Sequence, residues 1–587
     1  MKGSSTSYRA VLAVYLRPLW PAVTGLLVLL LLGTGLKLLN PQILALFIDG
    51  VVGGHSPAAL TRLALLFLGV AVLTQILSVV ETYLATHIGL AATNQLRADL
   101  ALHCLQLDMG FHNSRTPGEL IERVDGDVGE LSNFFARFAV DLLGNGLLLV
   151  GAFAALFRVD WRVGLALSLF ALVTLLLITR LRSVAVSRFR EARQAGAALF
   201  GFLEERLLGT EDVRSSGATA YVMGRFYERT RLLFRKELSA QMVATTAFGI
   251  SNVMLMLGSV LALGLGAYFF LSGLITIGAV YLIYRYMELL TEPIERINRQ
   301  IQDLQRAGAA IIRIQDLLNT HSQIRDEGQQ TLPDGPLAIN FEGINFAYAG
   351  QPQNGSDLRL VLRDIVLSLS PGTTLGLLGR TGSGKTTLTR LLFRFYEPSQ
   401  GTIWLGGVAL PQVRLDSLRR RVGLVTQEIQ LFHATVRENL TLFDPAISDE
   451  RILAVIEQLG LWGWFQSLPD GLETTLAPGG GLSAGEGQLL AFVRVFLKDP
   501  GLIILDEASS RLDPATEQHL ETAIGQLLAG RTAIIIAHRL ATVQRVDQIM
   551  ILENGRCLEY GPRAQLAANL DSRFAQLLKT GLEDTLL

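Results

Sequence analysis

Three short stretches contain residues whose types and spacing suit phosphate chemistry. In "TLGLLGRTGSGKTTL" an apolar run meets a glycine loop and then a helix-like segment, and Gly379 to Thr386 fits G-x-x-x-x-G-K-[ST] in full. Glycines let backbone N–H groups wrap phosphates at a helix start, where the peptide dipoles favour anions. Gly379, Arg380, Thr381, Gly382, Ser383 and Gly384 would form that loop, with Thr387 just beyond it. Lys385 would bind the β- and γ-phosphates, and Thr386 would ligate Mg2+. The second stretch, "GLIILDEASS", reads as a buried strand ending in Asp506 and Glu507. Asp506 would hold Mg2+ through its water shell, and Glu507 would polarise an attacking water. Two acids at a strand end also suit a solvated turn, but a phosphate loop in the same chain favours the catalytic reading. The third, "AIIIAHRL", is another apolar strand ending in His538, a γ-phosphate sensor in that company and an ordinary structural histidine otherwise. The chemistry implied is nucleoside triphosphate hydrolysis.

These residues need elements to hold them. From about Leu337 onward, short β-branched runs alternate with helical patterns, which predicts an α/β domain. The part before it differs in kind. Of the 587 residues, 50% are hydrophobic and the net charge is −1, so the chain is too apolar for an average soluble protein and has no basic excess for nucleic acid. Leu19 to Leu36, Leu63 to Val80, Leu142 to Phe157 and Val163 to Thr179 carry no charge. Each is near the roughly 17–25 residues of a membrane-spanning helix. Leu238 to Tyr284 is also uncharged and long enough to cross twice, with "LSGL" (Leu271 to Leu274) as the turn. Six spans result, at about 19–48, 60–85, 136–157, 163–182, 240–271 and 274–295. The transmembrane domain is thus expected over 1–318, a linker containing Pro333, Gly335 and Pro336 over 319–336, and the ATPase domain over 337–587.

Lys2, Arg9 and Arg17 precede the first span without an acid, so the amino terminus and the ATPase domain are expected in the cytoplasm of a multi-pass inner or plasma membrane protein. No A-x-A-like site closes the first apolar run, which argues against a cleaved signal peptide. Outer connections are short, whereas the inner segments Glu81 to Asp141 and Arg180 to Glu237 are long, charged and helix-patterned. Cys104 and Cys557 lie far apart without metal-ligand spacing and read as buried thiols.

With these residues in view, the chain resembles an ABC transporter half-molecule of the exporter type, a six-helix membrane domain fused to one ATPase domain. The resemblance implies ATP and Mg2+ as ligands. It implies that Tyr348 of "FAY" stacks on adenine, and that Gln427 of "LVTQEIQLF" is the Q-loop residue reporting Mg2+ and γ-phosphate. It also makes "LSAGE" the signature motif, usually LSGGQ, and "SSRLDP" the D-loop with Asp513. "DMGFHNSRTPGELIERVDGDV" and "LLGTEDVRSSG" are similar to the intracellular loops whose short coupling helices rest on the ATPase domains.

A signature helix in this family binds the γ-phosphate of an ATP held by the opposite ATPase domain, so a second half-transporter is implied as partner. Ser483 and Gly485 are retained, while Ala484 replaces a glycine and Glu486 replaces Gln. Glu486 either repels the partner's phosphate or, lying along the helix surface, acts as a first-turn acid that favours the dipole. A complete catalytic set (Lys385, Gln427, Asp506, Glu507, His538) beside an altered signature favours a heterodimer, with a homodimer open. Cargo is less legible. Arg285 and Glu288 in the last span either pair on one helix face or meet substrate. No peptidase-like extension precedes the first span, which disfavours a leader-cleaving peptide exporter. The reading is ATP-driven export of a small amphipathic, lipid-like or peptide substrate by alternating access. The alternative is an ATP-gated channel or regulatory subunit on the same fold, with import less favoured.

Overall fold

The computed structural model of the chain describes residues 14–137, 142–348, 360–426, 429–476, 484–506, 514–537 and 543–580. They form two compact units. The first comprises Met1–Leu105 and Pro117–Thr320, the second Gln106–Thr116 and His321–Leu587.

Helices dominate the first unit: α1 (Trp20–Val52) and α2 (Pro57–Gln106); α4 (Asn145–Val159) and α5 (Trp161–Leu208); α6 (Thr210–Ser215) and α7 (Thr219–Leu271); α8 (Ile277–Leu289) and α9 (Thr291–Leu318). The short α3 (Met109–Asn113) lies in the second unit. At about 1.5 Å per residue, helices of 50, 48 and 53 residues greatly exceed a roughly 30 Å hydrocarbon core, so α2, α5 and α7 extend well past it. Five helices of the described residues are long and apolar enough to cross a membrane. The sixth apolar stretch, 274–295, is divided, because α8 stops at Leu289 and α9 starts at Thr291. Pro293 has no N–H to donate to the Leu289 carbonyl, and the helix resets there.

Polar ties are few among these apolar helices. Asp49, near the end of α1, accepts from the Thr276 hydroxyl and the Gly278 N–H, both at 2.7 Å, and so caps the start of α8. A Cβ on Gly278 would stand 2.4 Å from the Ala45 carbonyl oxygen, so only glycine allows this approach. Deeper in, the Tyr286 hydroxyl donates to the Leu38 carbonyl at 3.0 Å and accepts from the Gln42 amide at 3.0 Å, next to Pro41 inside α1. These contacts fix the rotation of α1 against α8. The apolar core of the unit joins α4, α5, α7 and α8 around Leu156, Leu167, Ala262, Ile283 and Met287.

Among the described residues of the second unit three sheets form. The strands are β1 (Ile339–Phe346), β2 (Leu362–Leu369), β3 (Thr374–Leu378), β4 (Gln400–Leu405), β5 (Val408–Ala409) and β6 (Val422–Val425). They continue with β7 (Ala434–Thr435), β8 (Thr475–Leu476), β9 (Leu502–Asp506), β10 (Thr532–Ile536), β11 (Gln548–Glu553) and β12 (Arg556–Pro562). Sheet order is β2-β1-β4-β5 in one, β12-β11-β3-β10-β9-β6 in another, and β7-β8 in the third. From β11 through β6 the six-stranded sheet is parallel, with β12 antiparallel at its edge. The near-continuous apolar runs follow from this, since a parallel sheet is covered on both faces; every residue of β3 and β10 is buried.

Residues 321–336, expected as part of a linker, are fastened along this unit. Gln330 bridges Val413, the Leu332 N–H donates to the Ser417 hydroxyl at 3.0 Å, and Arg421 donates to the Pro333 and Gly335 carbonyls. A side chain at Gly328 would clash with the Val413 carbonyl oxygen at 2.4 Å, which is why the segment lies so close. Proline and glycine here shape an edge segment rather than a free tether.

Candidate nucleotide site

The register of the parallel sheet lines up the carboxyl ends of four strands. Ile536 on β10 pairs with Asp506 on β9 and with Leu377 on β3, and Val425 on β6 pairs with Leu505 on β9. Ligands of open parallel sheets bind at such an edge. The loop Gly379–Gly384 leaves β3 there, and α10 (Lys385–Leu392) follows it.

Three glycines of the loop take positive φ: +148° at Gly379, +82° at Gly382 and +106° at Gly384. At Gly379 a Cβ would stand 2.3 Å from the Leu552 carbonyl oxygen, and at Gly384 2.6 Å from Leu362. The motif's spacing therefore reflects both conformation and crowding. Gly384 caps α10 without a side-chain hydrogen bond, leaving backbone N–H groups at the helix start to meet an anion. Lys385 is 7% exposed, and its ammonium donates to the Gly379 carbonyl at 2.6 Å and the Arg380 carbonyl at 3.2 Å. The Ser383 hydroxyl is buried without a hydrogen-bond partner.

A cavity of about 600 Å3 opens over this loop. Thr381, Gly382, Gly384, Lys385, Thr386 and Thr387 line it on one side, and Thr426 and Asp506 on another. Thr386 and Asp506, a hydroxyl and a carboxylate, are oxygen donors of the kind Mg2+ takes.

Tyr396 and Met109 are also part of the wall, and neither was expected from sequence. Tyr348 is not among the wall residues; it stands edge-on to Tyr396 with ring centroids 5.0 Å apart, and its hydroxyl shares a 3.1 Å hydrogen bond with that of Thr387. Burial pushes the Tyr396 phenol up, with Tyr348 adding to the shift. Asn113 of α3 donates to the Tyr396 hydroxyl at 2.5 Å. Asp108 caps α3 through the Phe111 N–H at 3.0 Å and also accepts from the Gln323 N–H at 2.6 Å. The "DMGFHN" segment is thereby joined to an aromatic at the nucleotide cavity. An aromatic shortly after the phosphate-loop helix, in "FRFYEP", was the available signal for Tyr396.

Gln427, Ser483, Glu507, Asp513 and His538 lie outside the described residues. The strands leading to three of them are described: β6 ends two residues before Gln427, β9 one before Glu507, and β10 two before His538. The helix α11 (Ala484–Lys498) begins within "LSAGE"; Gly485 is buried there and Glu486 is half-buried in the first turn.

Residues 23–294 match the family described as ABC transporter transmembrane region, and residues 362–510 match the one described as ABC transporter. Over 572 residues the chain is 30% identical to an ATP-dependent lipid A-core flippase of Thiobacillus denitrificans, covering 96% of each chain. It is 28% identical over 547 residues to the putative multidrug export ATP-binding/permease protein SAB1799c of Staphylococcus aureus, covering 91% of this chain and 93% of that one. In fold it is similar to a solved bacterial Atm1-family ABC exporter with ATP bound, at a TM-score of 0.78 and 22% identity over 96% of this chain and 98% of that chain.

Proposed function

Because this chain belongs to the ABC transporter family, as an exporter-type membrane domain fused to an ATPase domain that couples ATP hydrolysis to transport, we propose that it moves a small amphipathic, lipid-like or peptide substrate outward across the cytoplasmic membrane. Alternating access in a dimer is the mechanism. The observation that carries the reading is the shared edge of β3, β9, β10 and β6, which brings the phosphate loop and Asp506 to one cavity.

Gly379 to Thr387 would cradle the triphosphate, with Lys385 exchanging its two carbonyl contacts for phosphate oxygens. Thr386, Gln427 and Asp506 would hold Mg2+, which neutralises phosphate charge when bound. Glu507 would accept a proton from the attacking water, and His538 would sense the γ-phosphate. Tyr348, together with Tyr396, would support adenine. Ser483, Ala484, Gly485 and Glu486, with Asp513 of the D-loop, would complete the site of the partner half-transporter. The complete catalytic set beside the altered signature supports a heterodimer over a homodimer. A channel or regulatory role gains no specific observation.

The test uses the full-length protein in lipid nanodiscs and oriented vesicles, alone and with a neighbouring half-transporter. ATP-dependent outward movement of an amphiphile supports the proposal. ATP-dependent inward movement, or passive flow gated by ATP binding alone, would overturn it. A stable dimer of this chain with two equivalent hydrolysing sites and a response to transport substrate would overturn the heterodimer.

A further inference from the structure

Within the membrane unit, three helices each present one stripe to a shared cavity of about 310 Å3. Lys37 and Asn40 come from α1, Phe67 and Thr74 from α2, and Tyr281, Tyr284, Arg285 and Glu288 from α8. The spacing is helical on α1 and α8, so each stripe is one face. The two α1–α8 ties at Asp49 and Tyr286 hold these faces in register.

The charges in it are unequally satisfied. Arg285 and Glu288 form an ion pair with each other, which answers one alternative left by the sequence. Lys37 has no such partner among the described residues. Its charge acts on Glu81, which lies on the α2 face that carries Phe67 and Thr74 and is buried to 5% exposure against Gly33, one turn before Lys37. Gly33 makes room for that carboxylate, since a Cβ there would stand 2.3 Å from its Oε1. Glu81 offsets the Lys37 charge without reaching ion-pair distance. The Asn40 side-chain oxygen is buried and has no hydrogen-bond partner.

Lys37 is exposed to this cavity and offset by Glu81 only at a distance, so its ammonium is open to a ligand, and the buried Asn40 oxygen beside it is costly unless a donor meets it. Their complement is an anionic group with a hydrogen-bond donor beside it. The volume suits a head group rather than a whole lipid, and the helices around it have exposed apolar faces, such as Leu31 and Leu66, for a hydrocarbon tail. We propose that the Lys37–Asn40 face of this cavity binds the head group of an anionic amphiphile, a phosphate or carboxylate flanked by a hydroxyl or N–H. This rests on the export reading and names the substrate class for it.

The experiment measures equilibrium binding of fluorescent-tailed probes to the purified full-length protein in nanodiscs. The probes are lysophosphatidylglycerol (phosphate with hydroxyls), N-acylserine (carboxylate with donors) and monoacylglycerol (hydroxyls and no charge). Both anionic probes are expected to bind more tightly than monoacylglycerol, and their ranking distinguishes phosphate from carboxylate. Lys37→Met should weaken the anionic probes about tenfold or more, the scale of one charge-assisted hydrogen bond, with monoacylglycerol little changed. Lys37→Arg should restore most of the loss, and Asn40→Asp should weaken the same probes by adding a negative charge. Equal weakening of all three probes in Lys37→Met, or anionic probes binding no better than monoacylglycerol, would overturn the proposal. ATPase activity of the unaltered protein, measured on the same samples, tests the transporter reading separately.

Discussion

The nucleotide cavity and the membrane cavity both hold charged side chains, Lys385 buried in one and Lys37 exposed in the other, but their polarity comes from different material. Around the phosphate loop the polarity comes largely from backbone. Lys385 rests on two carbonyls, and Gly382, Gly384 and the start of α10 line the cavity. In the membrane cavity most of the backbone is committed to helical hydrogen bonds, as lipid surroundings require, so the polarity comes from side chains such as Lys37, Asn40 and Arg285. A backbone site fixes where glycine must stand. A side-chain site fixes only which residues meet in space.

The largest expected effect tests the catalytic half of this contrast. Glu507→Gln should leave ATP binding intact and cut ATPase turnover by roughly 10²-fold or more, measured with the partner present if there is one. Near-normal turnover would remove Glu507 from the proton-accepting role.

Next comes the backbone itself. Gly384→Ala forces a Cβ onto Leu362 at a φ of +106°, so affinity for a fluorescent ATP analogue should fall at least about tenfold, the scale of one left-handed residue's strain. Gly146→Ala, in a membrane helix where an added Cβ meets nothing within 4 Å, should leave that affinity unchanged. If both variants behave alike, the proposed contrast is wrong.

Aromatic support of adenine ranks third. Tyr348→Ala and Tyr396→Ala should each raise KM for ATP about tenfold with kcat little changed, since stacking on a base is worth about 1–3 kcal/mol. Tyr396→Phe keeps the ring and loses only the Asn113 hydrogen bond, so its KM should stay close to that of the unaltered protein. A rise in KM for Tyr396→Ala alone would shift the adenine contact from Tyr348 to Tyr396.

The smallest effect concerns Glu486. If its charge opposes the partner's γ-phosphate, Glu486→Gln should tighten nucleotide at the partner's site by about fivefold, the scale of one partly screened like-charge contact of about 1 kcal/mol. Glu507-dependent turnover should persist. Unchanged nucleotide affinity at that site would leave Glu486 as a first-turn acid of α11 with no effect on the phosphate.

Much of this was readable before any fold was known. The glycines at 379, 382 and 384 announce a phosphate loop because no other residue takes those dihedral angles in that crowding. Uncharged runs announce membrane helices because a fixed bilayer thickness sets their length. The buried strands were equally plain in "TLGLL", "LIILD" and "TAIII", since burial on both faces removes alternation; that they run parallel came from the fold. What depends on residues far apart in sequence was not readable. Tyr396 reaches the nucleotide cavity and meets Asn113, 283 positions earlier, and no local pattern marks that pair. The segment 321–336 has the composition of a tether, yet its hydrogen bonds run to Gln412, Arg414, Ser417 and Arg421, which only folding brings alongside. Arg285 and Glu288 were visible as two charges in an apolar span. Their pairing is an i,i+3 contact along α8 and was one of the two readings the sequence left; that Lys37 has no ion-pair partner among the described residues was decided by the packing of α1, α2 and α8. Sequence by itself indicated most elements and their local chemistry, because those follow from neighbours along the chain; tertiary structure decided which distant groups meet, because that depends on which faces pack together.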